Sequence, residues 1–299
     1  MPTILTLIGT PGAIAPDLIA RARHALGHIG IVTRSEVEWL SEGEACDITL
    51  PDVATRSTLP VVEQALGPAP VDVVFQKTEQ RKKRLLVADM DSTIITCECI
   101  DELADAVGLK PQVAVITERT MRGEIEFESA LTERVALLKG MPASELERIF
   151  NERVRLTSGA KPLVATMRKN GARCVLVSGG FTFFTSRVAA LAGFDESQGN
   201  TLEVADGKLT GRVIPPILGR DAKLAALMHC AEKIGIPLEA TLAAGDGAND
   251  LAMIKDAGLG VAFHAKPAVA IAADAAITYG DLTALLFIQG YKRTEFISG

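Results

Sequence analysis

Residues 85–95 read Leu-Leu-Val-Ala-Asp-Met-Asp-Ser-Thr-Ile-Ile, and this stretch decides the fold. Four apolar residues in a row are typical of a parallel strand that is buried on both faces. The run stops at Asp89 and Asp91, which the pattern places at the carboxyl end of the strand, where open α/β sheets bind ligands. Taken alone, the pair has two interpretations: a site for chemistry, or a turn that caps a helix.

Two later apolar runs are predicted to end in the same way. One ends at Ser178 and Gly179, and the other ends at Asp246, in a turn that continues to Asp250. Since the carboxyl ends of parallel strands meet at one edge of a sheet, we expect these residues to lie beside Asp89. The predicted fold class is α/β with a Rossmann-like parallel sheet.

Four helical segments interrupt this alternation directly after the first core strand. Apolar residues recur at helical spacing in residues 100–107, 112–121, 126–138 and 143–155, with glycines between the segments. We therefore predict a helical cap domain over residues 97–159 and a catalytic core made of residues 85–96 and 160–299.

Residues 1–76 show a different pattern, with short β-like runs and two helical segments in the order β-α-β-β-α-β. The predicted strands are residues 3–7, 29–31, 37–40, 46–50 and 71–75, and the helices are residues 15–26 and 58–66. This order is typical of ferredoxin-like α+β domains and resembles the ACT domain, a small ligand-sensing module. A packing or dimerisation domain is the alternative.

Residues 77–84 are polar and mostly basic, and they are interpreted as a solvated linker between the two patterns. Contact with nucleic acid is the more specific alternative. It is disfavoured because the segment lacks interleaved aromatic residues. The net charge of −6 also disfavours general binding to nucleic acid or to anionic membranes.

The composition predicts a soluble, cytoplasmic protein of ordinary globular type. The chain has 299 residues, of which 48% are hydrophobic and 23% charged. Five cysteines without a Cys-x-x-Cys pair indicate neither a disulfide framework nor a zinc site. No basic residue precedes the apolar N-terminal stretch, as a signal peptide would require, and no apolar run reaches the roughly 18 residues of a membrane span.

The acids at the predicted sheet edge are hard oxygen ligands. Asp89, Asp91, Asp246 and Asp250 together suit Mg²⁺, whereas the four histidines are dispersed and do not predict zinc. A helix-capping turn is the alternative for Asp246 and Asp250 taken one at a time.

The Ser178 turn and Lys223 are candidates for binding an anion. A hydroxyl and free N–H groups at a helix N-terminus hold phosphate, and the Gly-x-Ser-x-Gly elbow of a serine nucleophile is absent. Lys223 is predicted to supply a compensating cation, and a solvated helix lysine is the alternative.

In this order, four motifs resemble those of the haloacid dehalogenase-like phosphatases: Asp89-x-Asp91-Ser-Thr, Ser178-Gly179-Gly180, Lys223, and Gly245-Asp246-Gly247-x-Asn249-Asp250. The inserted residues 91–98 and 121–140 are similar to the cap of the members that act on O-phospho-L-serine. The resemblance implies Mg²⁺-dependent hydrolysis of that ester to L-serine and phosphate, the last step of serine biosynthesis.

The resemblance also implies residue roles. Asp89 would be the nucleophile that forms an aspartyl-phosphate, and Asp91 the proton donor and acceptor. Mg²⁺ would be held by Asp89, the main-chain carbonyl of Asp91 and Asp246, with Asp250 in support. Substrate-binding residues would be Ser178, Gly179 and Lys223 for the phosphate, Glu98 for the ammonium, Arg134 for the carboxylate, and Asn249 for positioning.

Three alternatives remain open from the sequence. The same motifs could transfer phosphate to another alcohol such as homoserine, could hydrolyse another small phosphomonoester, or could belong to an inactive regulator that senses an amino acid. Fold analogy with ACT domains further predicts a homodimer formed through the N-terminal domain.

Overall fold

The computed structural model describes residues 3–33, 36–52, 54–122, 124–219 and 221–299. The N-terminal elements are β1 (Thr3–Gly9), α1 (Pro16–His28), β2 (Glu38–Ser41), β3 (Ala45–Leu50), α2 (Leu59–Leu66) and β4 (Val71–Lys77). The four strands form an antiparallel sheet in the order β2-β3-β1-β4. The β-α-β-β-α-β order expected from the sequence is therefore present.

The strand predicted at residues 29–31 is wrong, because these residues end helix α1. The N–H of Ile31 donates to the carbonyl of Leu26 at 3.0 Å, and the N–H of Gly30 donates to the carbonyl of Gly27 at 3.0 Å. Gly30 has a φ of 79°, which is the left-handed conformation that closes a helix in this way. The apolar side chain of Ile31 is buried against the helix it terminates, which explains why the run resembles a strand.

The second sheet has seven strands: β5 (Leu85–Ala88), β6 (Arg173–Phe181), β7 (Glu196–Ala205), β8 (Lys208–Ile214), β9 (Thr241–Gly245), β10 (Leu259–Phe263) and β11 (Ala275–Ile277). Their order is β11-β10-β9-β5-β6-β7-β8, and only β8 runs antiparallel to its neighbour. The predicted Rossmann-like parallel core is confirmed, and the strand quoted first lies at its centre.

Helices cover both faces of this sheet, which is why the central strand is apolar without alternation. They are α7 (Ala160–Lys169), α8 (Thr182–Ala192), α9 (Ala222–Lys233), α10 (Leu251–Asp256), α11 (Pro267–Ala272) and α12 (Ala284–Ile288). Leu86 and Ala88 belong to one buried cluster, with residues of α7, α8 and α12. Leu85 and Val87 point to the other face and pack with residues of α9 and α10.

Four helices follow β5 directly, as the sequence predicts: α3 (Cys99–Ala106), α4 (Lys110–Met121), α5 (Phe127–Ala136) and α6 (Ser144–Arg153). The helical insertion is also tied to the β7–β8 hairpin. The N–H of Gly140 donates to the carbonyl of Leu209 at 2.8 Å, and the N–H of Ala143 donates to the carbonyl of Gly207 at 2.8 Å. This contact fixes one end of the insertion against the sheet.

Residues 77–84 are not a solvated segment throughout, because Arg81 bridges the two sheets and Lys83 is buried against the core. Arg81 Nη2 donates to Asp47 Oδ1 at 2.9 Å, and Arg81 Nε donates to the carbonyl of Ile288 at 2.7 Å. Lys83 Nζ donates to the carbonyl of Glu239 at 2.6 Å. Arg81 therefore holds the N-terminal sheet against the core.

Two further expectations concern the cysteines and membrane-spanning helices. All five cysteines are free thiols. None of the helices in the described ranges is long and apolar enough to span a membrane.

Candidate active site

The two acids that follow β5 point to different partners. The carboxylate of Asp89 is 2.7 Å from Lys223 Nζ, and its side chain also accepts the N–H of Met90. Asp91 Oδ1 accepts the N–H of Cys99 at 2.8 Å, and Asp91 Oδ2 accepts the hydroxyl of Ser178 at 3.0 Å. One acid therefore faces a cation and the other faces two hydrogen-bond donors, so they are prepared for different chemistry.

Lys223 is the buried cation of the site, with 3% of its surface exposed. Its ammonium lies 2.7 Å from Asp89 and 2.6 Å from Asp250. Burial lowers the pKa of Lys223, but the charges of Asp89 and Asp250 outweigh this effect and hold the pKa above its ordinary value. The lysine is therefore charged at neutral pH, and the alternative of a solvated helix residue is wrong.

Asp89, Asp246 and Asp250 form a compact acidic cluster, in which one carboxylate oxygen of each lies within 4.8 Å of the others. Asp246 accepts the hydroxyl of Thr93 at 3.2 Å, and Asp250 accepts the N–H of Gly247 at 2.9 Å. The side chain of Asp91 is turned away toward Ser178 and lies outside the cluster.

The electrostatics of this cluster indicate a cation site. Burial and the charge of Asp250 raise the pKa of Asp89 well above its ordinary value, although Lys223 opposes the shift. Burial and Asp250 likewise raise the pKa of Asp246. Three carboxylates with one lysine carry excess negative charge, and hard oxygen ligands of this kind suit a divalent cation. The residues present therefore fit a metal ion.

Close packing explains the glycine before Asp246. A Cβ at Gly245 would lie 2.3 Å from the Cγ atom of Asp250, which is far inside van der Waals contact. The last residue of β9 is therefore glycine, because its backbone touches the carboxylate of Asp250.

The Ser178 turn differs from the expectation, because β6 continues to Phe181 and α8 begins only at Thr182. The pairing of β6 with β7 is interrupted between Val177 and Phe181, so Ser178 and Gly179 lie in an irregular part of the strand. The N–H of Gly180 donates to the hydroxyl of Ser178 at 2.8 Å. The predicted helix N-terminus is therefore absent at Ser178, although the hydroxyl of Ser178 still reaches Asp91.

Phe127 is a site residue that sequence reasoning missed. A Cβ at Gly179 would lie 2.6 Å from the Cζ atom of Phe127, so this ring of helix α5 covers the Gly179 backbone. In the sequence, Phe127 is one apolar residue in a helical pattern, and no feature distinguishes it from a core residue.

Glu98 and Arg134 lie on the helical insertion above the acids. Glu98 accepts the hydroxyl of Ser92 at 2.6 Å, next to Asp91 in the chain. Desolvation in the cleft and then the charge of Asp91 raise the pKa of Glu98 to about 7, although Glu98 as a residue is exposed.

Arg134 is half-buried, and burial lowers its pKa against the opposing charges of Asp101, Glu98 and Asp91. Its Nε donates to the carbonyl of Ala130 at 3.2 Å. Within the described ranges no carboxylate forms a salt bridge with it, so the other guanidinium N–H groups can serve a ligand.

Asn249 lies on the turn that carries the acidic cluster. Its Oδ1 atom would be 2.3 Å from a Cβ at Gly247, so the amide folds back over the glycine.

A comparison with models of protein families identifies the family of the chain that carries this site. The model of the haloacid dehalogenase-like hydrolases matches residues 86–255, which is more than half of the chain. The chain belongs to the haloacid dehalogenase-like hydrolases. The matched range contains Asp89, Ser178, Lys223 and Asp246, so the resemblance drawn from the motifs is confirmed at the level of the family.

Curated relatives of this hydrolase include phosphoserine phosphatases. The protein from Archaeoglobus fulgidus is 47% identical over 217 residues, which cover 72% of this chain and 63% of the relative. The protein from Streptococcus thermophilus is 49% identical over 200 residues, which cover 67% of this chain and 93% of the relative. The chain therefore spans less than two thirds of the first relative but nearly all of the second.

A solved structure similar to this hydrolase is that of a probable phosphoserine phosphatase from Vibrio cholerae. The two have a TM-score of 0.78 and 31% identity, and the match covers 98% of this chain and 88% of the other. The likeness therefore includes both sheets.

Proposed function

We propose that this hydrolase converts O-phospho-L-serine and water to L-serine and phosphate with Mg²⁺ as cofactor. The observation that carries the proposal is the separation of the two acids, with Asp89 ion-paired to Lys223 and Asp91 hydrogen-bonded to Ser178. Relatives named as phosphoserine phosphatases support the choice of substrate.

Asp89 acts as the nucleophile in this proposal. Its carboxylate oxygen attacks phosphorus, the bond from phosphorus to the serine oxygen breaks, and an aspartyl-phosphate forms. Lys223 favours the ionised form of Asp89, because its ammonium lowers a pKa that burial raises. The same ammonium offsets the repulsion between the incoming phosphate and the nucleophile.

Asp91 acts as the general acid and then as the general base. Burial raises its pKa above the ordinary value, which favours the protonated form that the leaving serine oxygen requires. After giving up this proton, the carboxylate accepts one from the water that hydrolyses the aspartyl-phosphate. The Cys99 N–H fixes its orientation throughout, and the Ser178 hydroxyl does so until it turns to the incoming phosphate.

Asp89, Asp246 and the main-chain carbonyl of Asp91 would hold the Mg²⁺, with Asp250 in support. When bound, the cation neutralises charge on the phosphate and on the buried acids. Ser178 and Gly179 would bind the phosphate as neutral donors.

Specificity is assigned to the helical insertion. L-phosphoserine carries an ammonium and a carboxylate beyond its phosphate, so a selective pocket requires one acid and one base. Glu98 and Arg134 meet this requirement, and a guanidinium can bind a carboxylate with two parallel hydrogen bonds. Asn249 positions the substrate from the turn of the acidic cluster.

The domain boundaries are also proposals: an ACT-like domain at residues 1–76, a connecting segment at 77–84, a core of residues 85–96 and 160–299, and a cap at 97–159. Dimerisation through the N-terminal domain is the associated proposal, and light scattering on the full chain tests it. A cytoplasmic location stays a prediction.

Phosphate release from O-phospho-L-serine tests the function. We expect release with Mg²⁺, little release with EDTA, and at least about 10²-fold less with Asp89→Asn, which removes the nucleophile. Adding homoserine and analysing for phosphohomoserine separates hydrolysis from transfer to another alcohol. Absence of Mg²⁺-dependent release by the wild type contradicts the proposal.

A further inference from the structure

A buried acid of the N-terminal sheet is bonded to a loop of the core. Asp72 lies on β4 and has 5% of its surface exposed. Its carboxylate accepts three consecutive backbone N–H groups, those of Thr278 at 2.7 Å, Tyr279 at 3.1 Å and Gly280 at 2.9 Å. A single side chain therefore fixes the backbone that follows β11.

The same loop is bonded to His264, which directly follows β10. His264 Nε2 is 2.9 Å from the carbonyl of Gly280, a geometry in which the ring nitrogen donates. His264 has a φ of 45°, in the left-handed region that non-glycine residues rarely adopt. Its ring stacks on Phe263, with centroids 4.2 Å apart. Tertiary contacts therefore hold His264 in a conformation that its backbone alone does not favour.

The turn that begins at His264 reaches the acidic cluster. The N–H of Lys266 donates to the main-chain carbonyl of Asp246 at 3.3 Å. The strands on either side are also paired, with Ala262 opposite Gly245. A displacement of residues 264–266 therefore acts on the backbone that carries Asp246.

We propose that Asp72 and His264 are positioning residues for Asp246, so that the N-terminal sheet sets the affinity of the acidic cluster for its divalent cation. The inference rests on the proposed function, which supplies the cation. Groups that orient metal ligands change affinity without touching the metal. Substitutions of residues along such a network change the coupling between two sites by about 2- to 30-fold. Since Asp72 acts through two intermediates, we expect about a three- to tenfold effect.

Calorimetric titration with Mg²⁺ in the absence of substrate tests the inference on the full chain. Asp72→Asn replaces two acceptor oxygens by one oxygen and an NH₂ group that opposes the backbone N–H groups. We expect Mg²⁺ binding about three- to tenfold weaker. The control is Asp47→Asn, which removes another buried acid of the same interface, one that contacts Arg81 and Thr6 rather than the 278–280 loop. Its Mg²⁺ affinity should stay within about twofold of the wild type.

Substitutions of His264 provide a second, independent test. His264→Phe keeps an aromatic ring but loses the donor, and it should weaken Mg²⁺ binding as Asp72→Asn does. His264→Gln restores a donor and should recover part of the affinity. In the double variant Asp72→Asn/His264→Phe, the Mg²⁺ affinity should fall by a smaller factor than the product of the two single-variant factors. The reason is that both residues act along one path.

These outcomes separate the inference from the proposed function. Wild-type affinity in both Asp72→Asn and His264→Phe overturns the inference, and so does an equal loss in Asp47→Asn. If Asp72→Asn does not fold, the comparison of His264→Phe with His264→Gln decides. A further outcome is that the wild type binds Mg²⁺ and the variants show the predicted losses of affinity, while the wild type does not hydrolyse phosphoserine. That result contradicts the proposed function and supports the inference.

Discussion

Lys223→Met tests the electrostatics of the site most completely. The wild-type ammonium is 2.7 Å from Asp89 and 2.6 Å from Asp250, and all three side chains are almost fully buried. Methionine retains most of the volume but leaves two buried carboxylates without their cation. Removing one partner of a buried ion pair costs about 3–5 kcal/mol. We expect the free energy of unfolding to fall by about that amount.

The matched control is Lys233→Met on the same helix α9. Lys233 pairs with Glu196 at 3.1 Å, but about half of its side chain is exposed. An exposed ion pair contributes about 0–1 kcal/mol, so this variant should be close to the wild type.

The dependence on pH gives a second readout for Lys223→Met. The pKa of Asp89 in the folded protein already lies above its ordinary value, and loss of Lys223 raises it further. A folded-state pKa above the unfolded value means that the protonated acid is favoured on folding. The associated stability is present at low pH and is lost as pH rises through the folded pKa. The deficit of Lys223→Met should therefore be larger near pH 8 than near pH 5.

Urea unfolding in EDTA at these two pH values measures both effects. Phosphate release should also fall by about 10²- to 10³-fold, as expected for the loss of an electrostatic group at the reacting phosphate. An unfolding free energy within about 1 kcal/mol of the Lys233→Met value, or a deficit that does not grow with pH, refutes the reasoning.

Two further predictions concern the substrate pocket. Arg134→Ala should lower kcat/KM for O-phospho-L-serine by about 10²-fold, which corresponds to about 3 kcal/mol of lost transition-state stabilisation. For O-phosphoethanolamine, which has no carboxylate, kcat/KM should change by less than about threefold. Steady-state kinetics on both esters measure this, with Arg119→Ala, a partly exposed arginine of the same insertion, as control. Equal losses on the two esters count against a carboxylate-binding role. Since the pKa of Glu98 is about 7 and only the ionised form attracts an ammonium, KM for phosphoserine should rise as pH falls below 7. Glu98→Gln should have a higher KM that no longer varies over this range, and an unchanged pH profile would contradict the assignment.

Local sequence signals predict the parts of the structure that depend on neighbouring residues. The apolar run before Asp89 is buried at the centre of the parallel sheet, as the absence of alternation indicates. Glycine on both sides of Asp246 predicts a tight turn, and Gly245 indeed lies against Asp250. The helical spacing after β5 predicts the four-helix insertion.

Features that depend on contacts between residues far apart in the chain could not be predicted from the sequence. Residues 29–31 have the composition of a strand, but Gly30 closes helix α1 instead. Arg81 lies in a polar, basic segment that is typical of a linker. It nevertheless donates hydrogen bonds to Asp47 and to a main-chain carbonyl of the core. Phe127 and Asp72 act through partners more than 50 residues away in the chain, Gly179 and Gly280, which no local pattern identifies.

The central claim is that Asp89 carries the phosphoryl group during turnover. Rapid acid quenching of the enzyme with O-phospho-L-serine labelled in its phosphate measures this directly, followed by peptide mapping. We expect a label on the peptide containing Asp89 that hydroxylamine releases, no label in Asp89→Asn, and trapped label in a variant of Asp91 that hydrolyses the intermediate slowly. Turnover by Asp89→Asn at the wild-type rate, or label on another residue, would contradict it.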